Sequence, residues 1–320
     1  MTSEPHSHAA RPTDLVALVT FDDEVRRNQA VTLEGLSDPD PQRTRPLNVA
    51  LAQWLHLGRR MWINVDGREV RGIATARDLN AKSAWMIDTL IDAAGDADSD
   101  SVVKDLLNQA VEAGARASVT HLLLRLALDA PSREAATRAG FRPALLERIW
   151  RGTPTVAPAA STVAVRPIHE SDDLAVFQLY GRSVPVEARA LLGMTREEWS
   201  SVRDRRWLRG GTELVAERDG VVSGLAAFHD QHDRVQLELL VAPDDEATAR
   251  ALMAAVMEQA EAREVHALVP RCLGAVEREL ASAGLTPEDE YIQLCRRTAR
   301  PVLASVPVRA GMHVPSGGGA

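Results

Sequence analysis

A chain of 320 residues, 45% apolar and 26% charged, has the make-up of a globular protein and the length for two domains that each bury a core. Its net charge of −8 argues against nucleic acid as the main partner, because phosphate neutralisation needs a basic surface; an amine substrate is compatible with it. No apolar run approaches the roughly 20 residues that cross a bilayer, so no membrane partner is expected. The segment Met1-Thr-Ser-Glu-Pro-His-Ser-His8 lacks the basic stretch and apolar core of a signal peptide, and with only Cys272 and Cys295 a disulfide framework is not expected. A reducing cytoplasm follows as the expected compartment.

In chain order, the first domain is expected to begin near Arg11, with a helical and loop region that contains Gln53, Trp54, Leu55 and Leu57. Met61–Val65 and Glu69–Ala76 flank Asp66-Gly67, a strong hairpin signal. Trp85-Met-Ile-Asp-Thr-Leu-Ile91 reads as a strand, followed by an acidic loop and an amphipathic helix. Then come a strand at Val119–Arg125, a short helix ending in Ala139-Gly-Phe141, and a final strand at Ala144–Trp150. Residues 152–162, rich in Pro, Ala, Ser and Thr, read as a linker.

The second half repeats this order. Val165–Leu174 supplies a strand and a helix start with Ser171 as a candidate N-cap. Glu213–Glu217 and Val221–Phe228 flank Asp219-Gly220, and both second strands carry a glycine, Gly72 and Gly224, as at a bulge or a close backbone approach. Val235-Gln-Leu-Glu-Leu-Leu-Val241 matches Trp85–Ile91, and the helix after each carries apolar residues in one register: Val102, Val103, Leu106, Leu107 and Ala110 against Leu252, Met253, Val256, Met257 and Ala260. Val265–Pro270, a helix ending in Ala283-Gly-Leu285 and Tyr291–Cys295 complete the match. The two helix-ending glycines suit left-handed C-caps. A register shared across so many elements reads as a tandem duplication, with domains at 11–151 and 163–300 and a disordered tail at 301–320.

Hairpin, strand, small-residue loop, helix, strand, short helix ending in Ala-Gly and an apolar residue, strand: this order resembles the GNAT family of N-acetyltransferases, present twice. The resemblance implies an α+β, three-layer fold in each half, a mixed and mostly antiparallel sheet flanked by helices. Its fourth and fifth strands would part to admit acetyl-CoA, the expected co-substrate. A helix N-terminus, with its unpaired amides, would bind the pyrophosphate. The residues expected to hold acetyl-CoA are Leu239, Leu240, Val241, Ala247, Thr248, Ala249 and Arg250. The loop departs from the family pattern: Ala247-Thr248-Ala249 stands where a glycine pair is usual, the loop is about two residues short, and Asp244, Asp245 and Glu246 stand where arginine is common. In the first half, Ala97-Asp98-Ser99 lies within the acidic run Asp96–Asp100. Carboxylates beside a pyrophosphate repel it, although acidic residues also suit a helix first turn.

Acetyl transfer needs a neutral amine and hence a general base. Glu238 occupies the place of a base carried by some members of the family, and Asp88 is its counterpart; a hydrogen-bonded strand carboxylate is the plain alternative for both. By strand alternation Glu238 points away from Leu237, Leu239 and Val241. The family's usual acid, a tyrosine, is replaced by Leu280 and Ala136. His121 and His266 sit at matching strand positions; Trp199 and Trp207 fall where the family shapes its acceptor pocket, with core packing the alternative. His229, Asp230, His232 and Asp233 read as a solvated turn rather than a metal site, and Cys272 as an ordinary buried thiol. The sequence therefore favours an N-acetyltransferase with a small-molecule or peptide amine acceptor, catalytic in its second half, as monomer or homodimer. A non-catalytic scaffold of the same fold, for ligand binding or interaction, is the other reading.

Overall fold

The computed structural model describes residues 6–14, 17–18, 21, 27–36, 59–67, 69–94, 98–155, 162–231, 233–260 and 263–298. The first half contributes β1 (His6–Ala9), α1 (Leu33–Leu36), β2 (Arg59–Asp66), β3 (Glu69–Asp78), β4 (Ala84–Asp92), α2 (Ser99–Arg116), β5 (His121–Ala127), α3 (Ser132–Arg138) and β6 (Arg142–Gly152). The second contributes β7 (Ala164–Pro167), α4 (Asp173–Ser183), α5 (Val186–Leu192), α6 (Arg196–Val202), β8 (Thr212–Arg218), β9 (Val221–Gln231), β10 (Arg234–Val241), α7 (Glu246–Ala260), β11 (Glu264–Pro270), α8 (Gly274–Ser282) and β12 (Thr286–Arg297).

All the strands form one twelve-stranded sheet in the order β1-β2-β3-β4-β5-β12-β6-β11-β10-β9-β8-β7. Within each half the neighbours are antiparallel except for β4–β5 and β10–β11, which are parallel and joined by α2 and α7. The two final strands have changed places. β12 lies against β5 of the first half, and β6 lies against β11 of the second. The exchanged strands also pair with each other, from Thr286↔Arg151 to Cys295↔Arg142. An open strand edge is a row of unpaired donors and acceptors, so each half depends on the other to cover its fifth strand.

Period-2 alternation sends Leu237, Leu239 and Val241 to one face of β10, where they meet Leu252, Met253 and Val256 of α7. In the first half Ile87 and Leu90, brought to one face by the register shift between them, pack with Val102, Val103, Leu106 and Leu107 of α2. The matched glycines let these helices sit low. A Cβ on Gly224 would lie 2.5 Å from Thr248 Cγ2 and 2.7 Å from Leu252 Cδ1, and one on Gly72 would lie 2.8 Å from Val102 Cγ1. A register shift adjoins each of them, at Asn64/Val65 and Ala216/Glu217. Asp219 and Gly220 both have positive φ, +51° and +74°, as a two-residue hairpin of the favoured twist requires. Both helix-ending glycines take the left-handed form, and the next residue's amide reaches back five residues (Phe141 to Ala136 O, Leu285 to Leu280 O).

Several expectations are corrected. β1 pairs with β2 upstream of the expected start at Arg11. β9 continues through Gln231, so His229 and Asp230 belong to a strand rather than a turn, and Asp230 pairs with Arg263. Ser171 is not an N-cap: it lies in a 3₁₀ turn, Glu170–Asp172, whose Asp172 carboxylate accepts the His169 amide, and α4 starts at Asp173. The expected linker begins inside β6 and its residues 156–161 lie outside the described residues, as do Gln53, Trp54, Leu55, Leu57, His232 and the tail at 301–320.

Two outcomes follow. Gly224→Ala overpacks the α7 contact and lowers stability by about 1–3 kcal/mol in urea unfolding. Residues 1–155 and 156–320 expressed apart give aggregating or unfolded halves, and co-expression gives a folded heterodimer, read by circular dichroism and gel filtration.

Candidate functional site

The parallel ladder of β10 and β11 runs from Arg234↔Glu264 to Glu238↔Leu268 and stops. Beyond that pair, Leu239, Leu240 and Val241 keep their antiparallel partners on β9 but have none on β11, which instead holds to β6. The strands part there, and Glu238 stands at the fork.

A cavity of about 180 Å³ opens at this fork, on the face away from α7. Glu238, Leu239, Leu240, Leu268 and Pro270 form its floor, and Tyr180, Val184, Leu192, Trp199 and Val202 of α4–α6 its roof. Trp199 stacks on Tyr180, ring centroids 5.2 Å apart, so it packs a core and walls the cavity at once. Trp207 packs with α1 and Leu268 instead. Arg125, Glu147 and Gln293, from β5, β6 and β12, close the remaining side. The first half thus supplies Arg125 and Glu147 to the second half's cavity, the latter on the exchanged strand β6.

The charged groups around the cavity are tightly paired. Arg125 Nε donates to Glu147 at 2.6 Å and Nη2 at 3.3 Å, with both residues buried. Arg77, fully buried, donates to both oxygens of Asp204 at 2.6 and 3.2 Å across the two halves. Burial works against both guanidinium charges, but these carboxylates outweigh it and hold both arginines firmly protonated. Arg203 and Arg205 share Glu213. Glu238 is different: burial drives its pKa up to about 7, the nearby Arg125 and Arg203 hold it down, and Glu147 and Asp204 push it up. A carboxyl group beside a cavity with its pKa near neutrality suits a proton acceptor.

The other expected acyl-CoA residues are not gathered at the cavity. Val241 faces the α7 core. Thr248 is fully buried; its amide donates to Asp245 at 3.1 Å, and its hydroxyl lies 2.7 Å from Asp245 and 2.8 Å from Ser223. The Ala249 amide donates to Asp245 O within the helix, and the Glu246 amide to Asp244 O. Arg250 is tied to Glu279 at 2.8 Å, and Glu246 to Arg278 at 2.7 Å. Ala247, at the helix surface, is not part of the cavity lining. The expectation of an anion-ready helix tip at Ala247–Arg250 is thus corrected: Asp245 already caps α7, so the helix start offers a diphosphate no vacant cradle. The parted strands fit the arm of an acyl thioester; the helix tip does not fit its phosphates.

In the first half the corresponding fork is filled by the chain itself. β4 and β5 pair only as far as Ile87↔Leu124. Residues 28–31 then enter between them, with bridges Asn28↔Ile91 and Ala30↔Leu126. The Gln29 amide donates to Leu90 O and the Val31 amide to Arg125 O, both at 2.9 Å, while Asn28 accepts from the Leu90 amide and donates to Asp88 O. Asp88, the counterpart of Glu238, is held by Arg59 at 2.9 Å and Thr75 at 2.5 Å, a structural carboxylate rather than a base. α1 then carries Leu33 into the wall of the second half's cavity, and Gln236 donates to Leu33 O at 2.7 Å.

His121 and His266 are buried and line no part of the cavity; His266 faces Glu264 at 3.2 Å. Cys272 is exposed, against the expected buried thiol. Leu280 and Ala136 are core residues. Among the described residues no group of His, Cys, Asp or Glu is arranged to hold a metal, and no helix is long and apolar enough to cross a membrane. Sequence reasoning missed Arg125, Glu147, Arg203 and Asp204. Buried charges in Leu122-Leu-Leu-Arg-Leu126 and Leu145-Leu-Glu147 were the available signal, since a charge within an apolar strand needs a partner.

Asp245→Ala removes the α7 cap and lowers stability by about 1 kcal/mol; thermal unfolding checks this.

No protein-family model matches the sequence, and no curated protein matches it. Solved structures do. A GCN5-related N-acetyltransferase from Sphaerobacter thermophilus aligns over 93% of this chain and 97% of its own at 14% identity, with a TM-score of 0.51. A tandem GNAT protein from the clavulanic acid biosynthesis pathway aligns over 92% and 98% at 14% identity and 0.46, and a GCN5-related N-acetyltransferase from Kribbella flavida over 92% and 71% at 17% and 0.44. At these identities the likeness is one of fold, and the first comparison, above 0.5, carries it. The chain has the GNAT fold in tandem, an α+β architecture of two like halves.

Proposed function

We propose that this protein is an N-acyltransferase that works in its second half, taking an acyl thioester, acetyl-CoA foremost, between β10 and β11 and an amine in the cavity beside Glu238. The observation that supports this most is Glu238 itself: a carboxyl with a pKa near 7, on an open cavity, at the residue where the two strands part. When bound, the thioester supplies an activated acyl carbonyl. The amine arrives as an ammonium, and Glu238 takes a proton from it directly or through one water. The freed nitrogen lone pair would form a C–N bond to the carbonyl as the C–S bond breaks; the nitrogen then gives up its second proton to solvent, and the departing thiolate takes one from solvent. Tyr180, Val184 and Trp199 give the cavity a largely apolar roof.

The first half, with its fork filled by residues 28–31, serves as an acceptor-shaping partner. The capped tip of α7 favours a second reading, a non-catalytic scaffold of the same fold, because it withholds the usual phosphate site. The two readings part on acetyl-CoA. At 100 times its dissociation constant the thioester stabilises the fold by about 2.7 kcal/mol; the absence of a thermal shift at millimolar concentration would leave the scaffold.

Glu238→Gln lowers kcat for thiol release by roughly 10²–10⁴-fold. In the unmodified protein kcat/KM rises with pH through about 7, since the base acts deprotonated, and the variant loses that limb. Stability moves the other way. A carboxyl whose folded pKa lies above its unfolded value loses stability as pH rises from its unfolded value through about 7. Glu238→Gln therefore matches the parent in denaturant at pH 5 and exceeds it at pH 8.

A further inference from the structure

Arg125 is 3% exposed, and two of its nitrogens are spent on Glu147; its Nη1 is buried with no hydrogen-bond partner. A buried guanidinium nitrogen without an acceptor carries its desolvation cost unrelieved; Nε of Arg77, Arg151 and Arg296 share that state, but those residues do not line this cavity. The residue lines the Glu238 cavity. The acids around it are already committed: both oxygens of Asp204 to Arg77, both of Glu147 to Arg125 itself, and Glu213 to Arg203 and Arg205 together. Glu238, the remaining acid of that shell, makes no hydrogen bond to Nη1 either. The cavity therefore has one buried cationic donor in want of an acceptor and one carboxyl able to take a proton.

Resting on the acyltransferase reading, we propose that the acceptor is a small amine bearing a carboxylate, a short amino acid, with its acid group on Arg125 Nη1 and its amine toward Glu238. A carboxylate is the complement of a guanidinium nitrogen, and the zwitterion enters without adding net charge to a buried site. A cavity of about 180 Å³ admits a small acceptor. A polyamine would bring cations toward guanidiniums. Arg125 belongs to β5, so the first half would set the specificity of a reaction carried out in the second.

Calorimetric titration of the full chain, with no thioester present, tests this. The probes are glycine, β-alanine and γ-aminobutyrate, each beside its decarboxylated counterpart: methylamine, ethylamine and propylamine. At least one acid binds tenfold or more tightly than its counterpart, and Arg125→Gln removes that preference. Arg125→Gln strands Glu147 as a buried charge, so Arg125→Gln/Glu147→Gln, which leaves neither charge, serves as the folded control and loses the preference too. Equal binding of acids and plain amines, no binding of any acid at 10 mM, or a preference that survives both variants would overturn the proposal. A separate thermal shift with acetyl-CoA keeps the two readings apart. Acid preference without thioester binding sinks the transferase and leaves this assignment; thioester binding without acid preference does the reverse.

Discussion

The exchange of β6 and β12 is the constraint on which the rest depends. β5 and β11 each need a neighbour on their outer edge, and each receives the other half's last strand. The two halves are therefore hydrogen-bonded through the centre of one sheet rather than joined by a surface contact. The buried Arg77–Asp204 pair fastens them again from the helical side. Breaking one partner of such a pair leaves an uncompensated buried charge, which ties the relative placement of the halves to the charge pattern around the cavity. Glu147 reaches the cavity because β6 has crossed to β11, and Arg125, on β5, comes beside it because β12 and β6 are all that separate β5 from β11.

The duplication left two forks with opposite fates. In the first, residues 28–31 occupy the gap with backbone hydrogen bonds that mimic an added strand. Asp88 there is paired with Arg59 and accepts a hydrogen bond from the Thr75 hydroxyl. In the second, no described residue enters the gap, and Glu238 keeps a carboxyl poised between charge states. In one half the gap between the strands is taken by the chain's own backbone, and in the other the strands part beyond Glu238. The filled fork is not idle, because α1, leaving it, sets Leu33 into the wall of the second half's cavity.

Much of the fold was legible because it rests on local signals repeated twice. The Asp-Gly turns, the glycines beneath α2 and α7 and the helix-ending glycines all report backbone geometry that few other residues adopt. The placement of Glu238 was legible for a related reason: alternation alone sends it away from the α7 core. The residues that complete the cavity were not, since Arg125 lies 113 positions before Glu238 in a strand that reads as ordinary core, and strand exchange has no local signature. The filling of the first fork was equally hidden; Asn28-Gln-Ala-Val31 has neither period nor turn chemistry, and only the gap it enters gives it a role. The start of α7 was misjudged because Asp244, Asp245 and Glu246 were weighed as repulsive charges near a phosphate. Asp245 acts by a closer-range effect, accepting the Thr248 amide, and a cap formed within the chain forestalls one supplied by a ligand.

The central claim is that the fork of the second half is the open one. Amide hydrogen exchange with and without acetyl-CoA tests it most directly. Protection that increases at Leu239–Val241 while the amides of Gln29, Val31 and Leu90 stay equally slow in both states is the result expected. Protection gained at Leu90, or faster exchange at Gln29 and Val31 as the chain gives way to the thioester, would show that the first fork is the binding site and contradict the account.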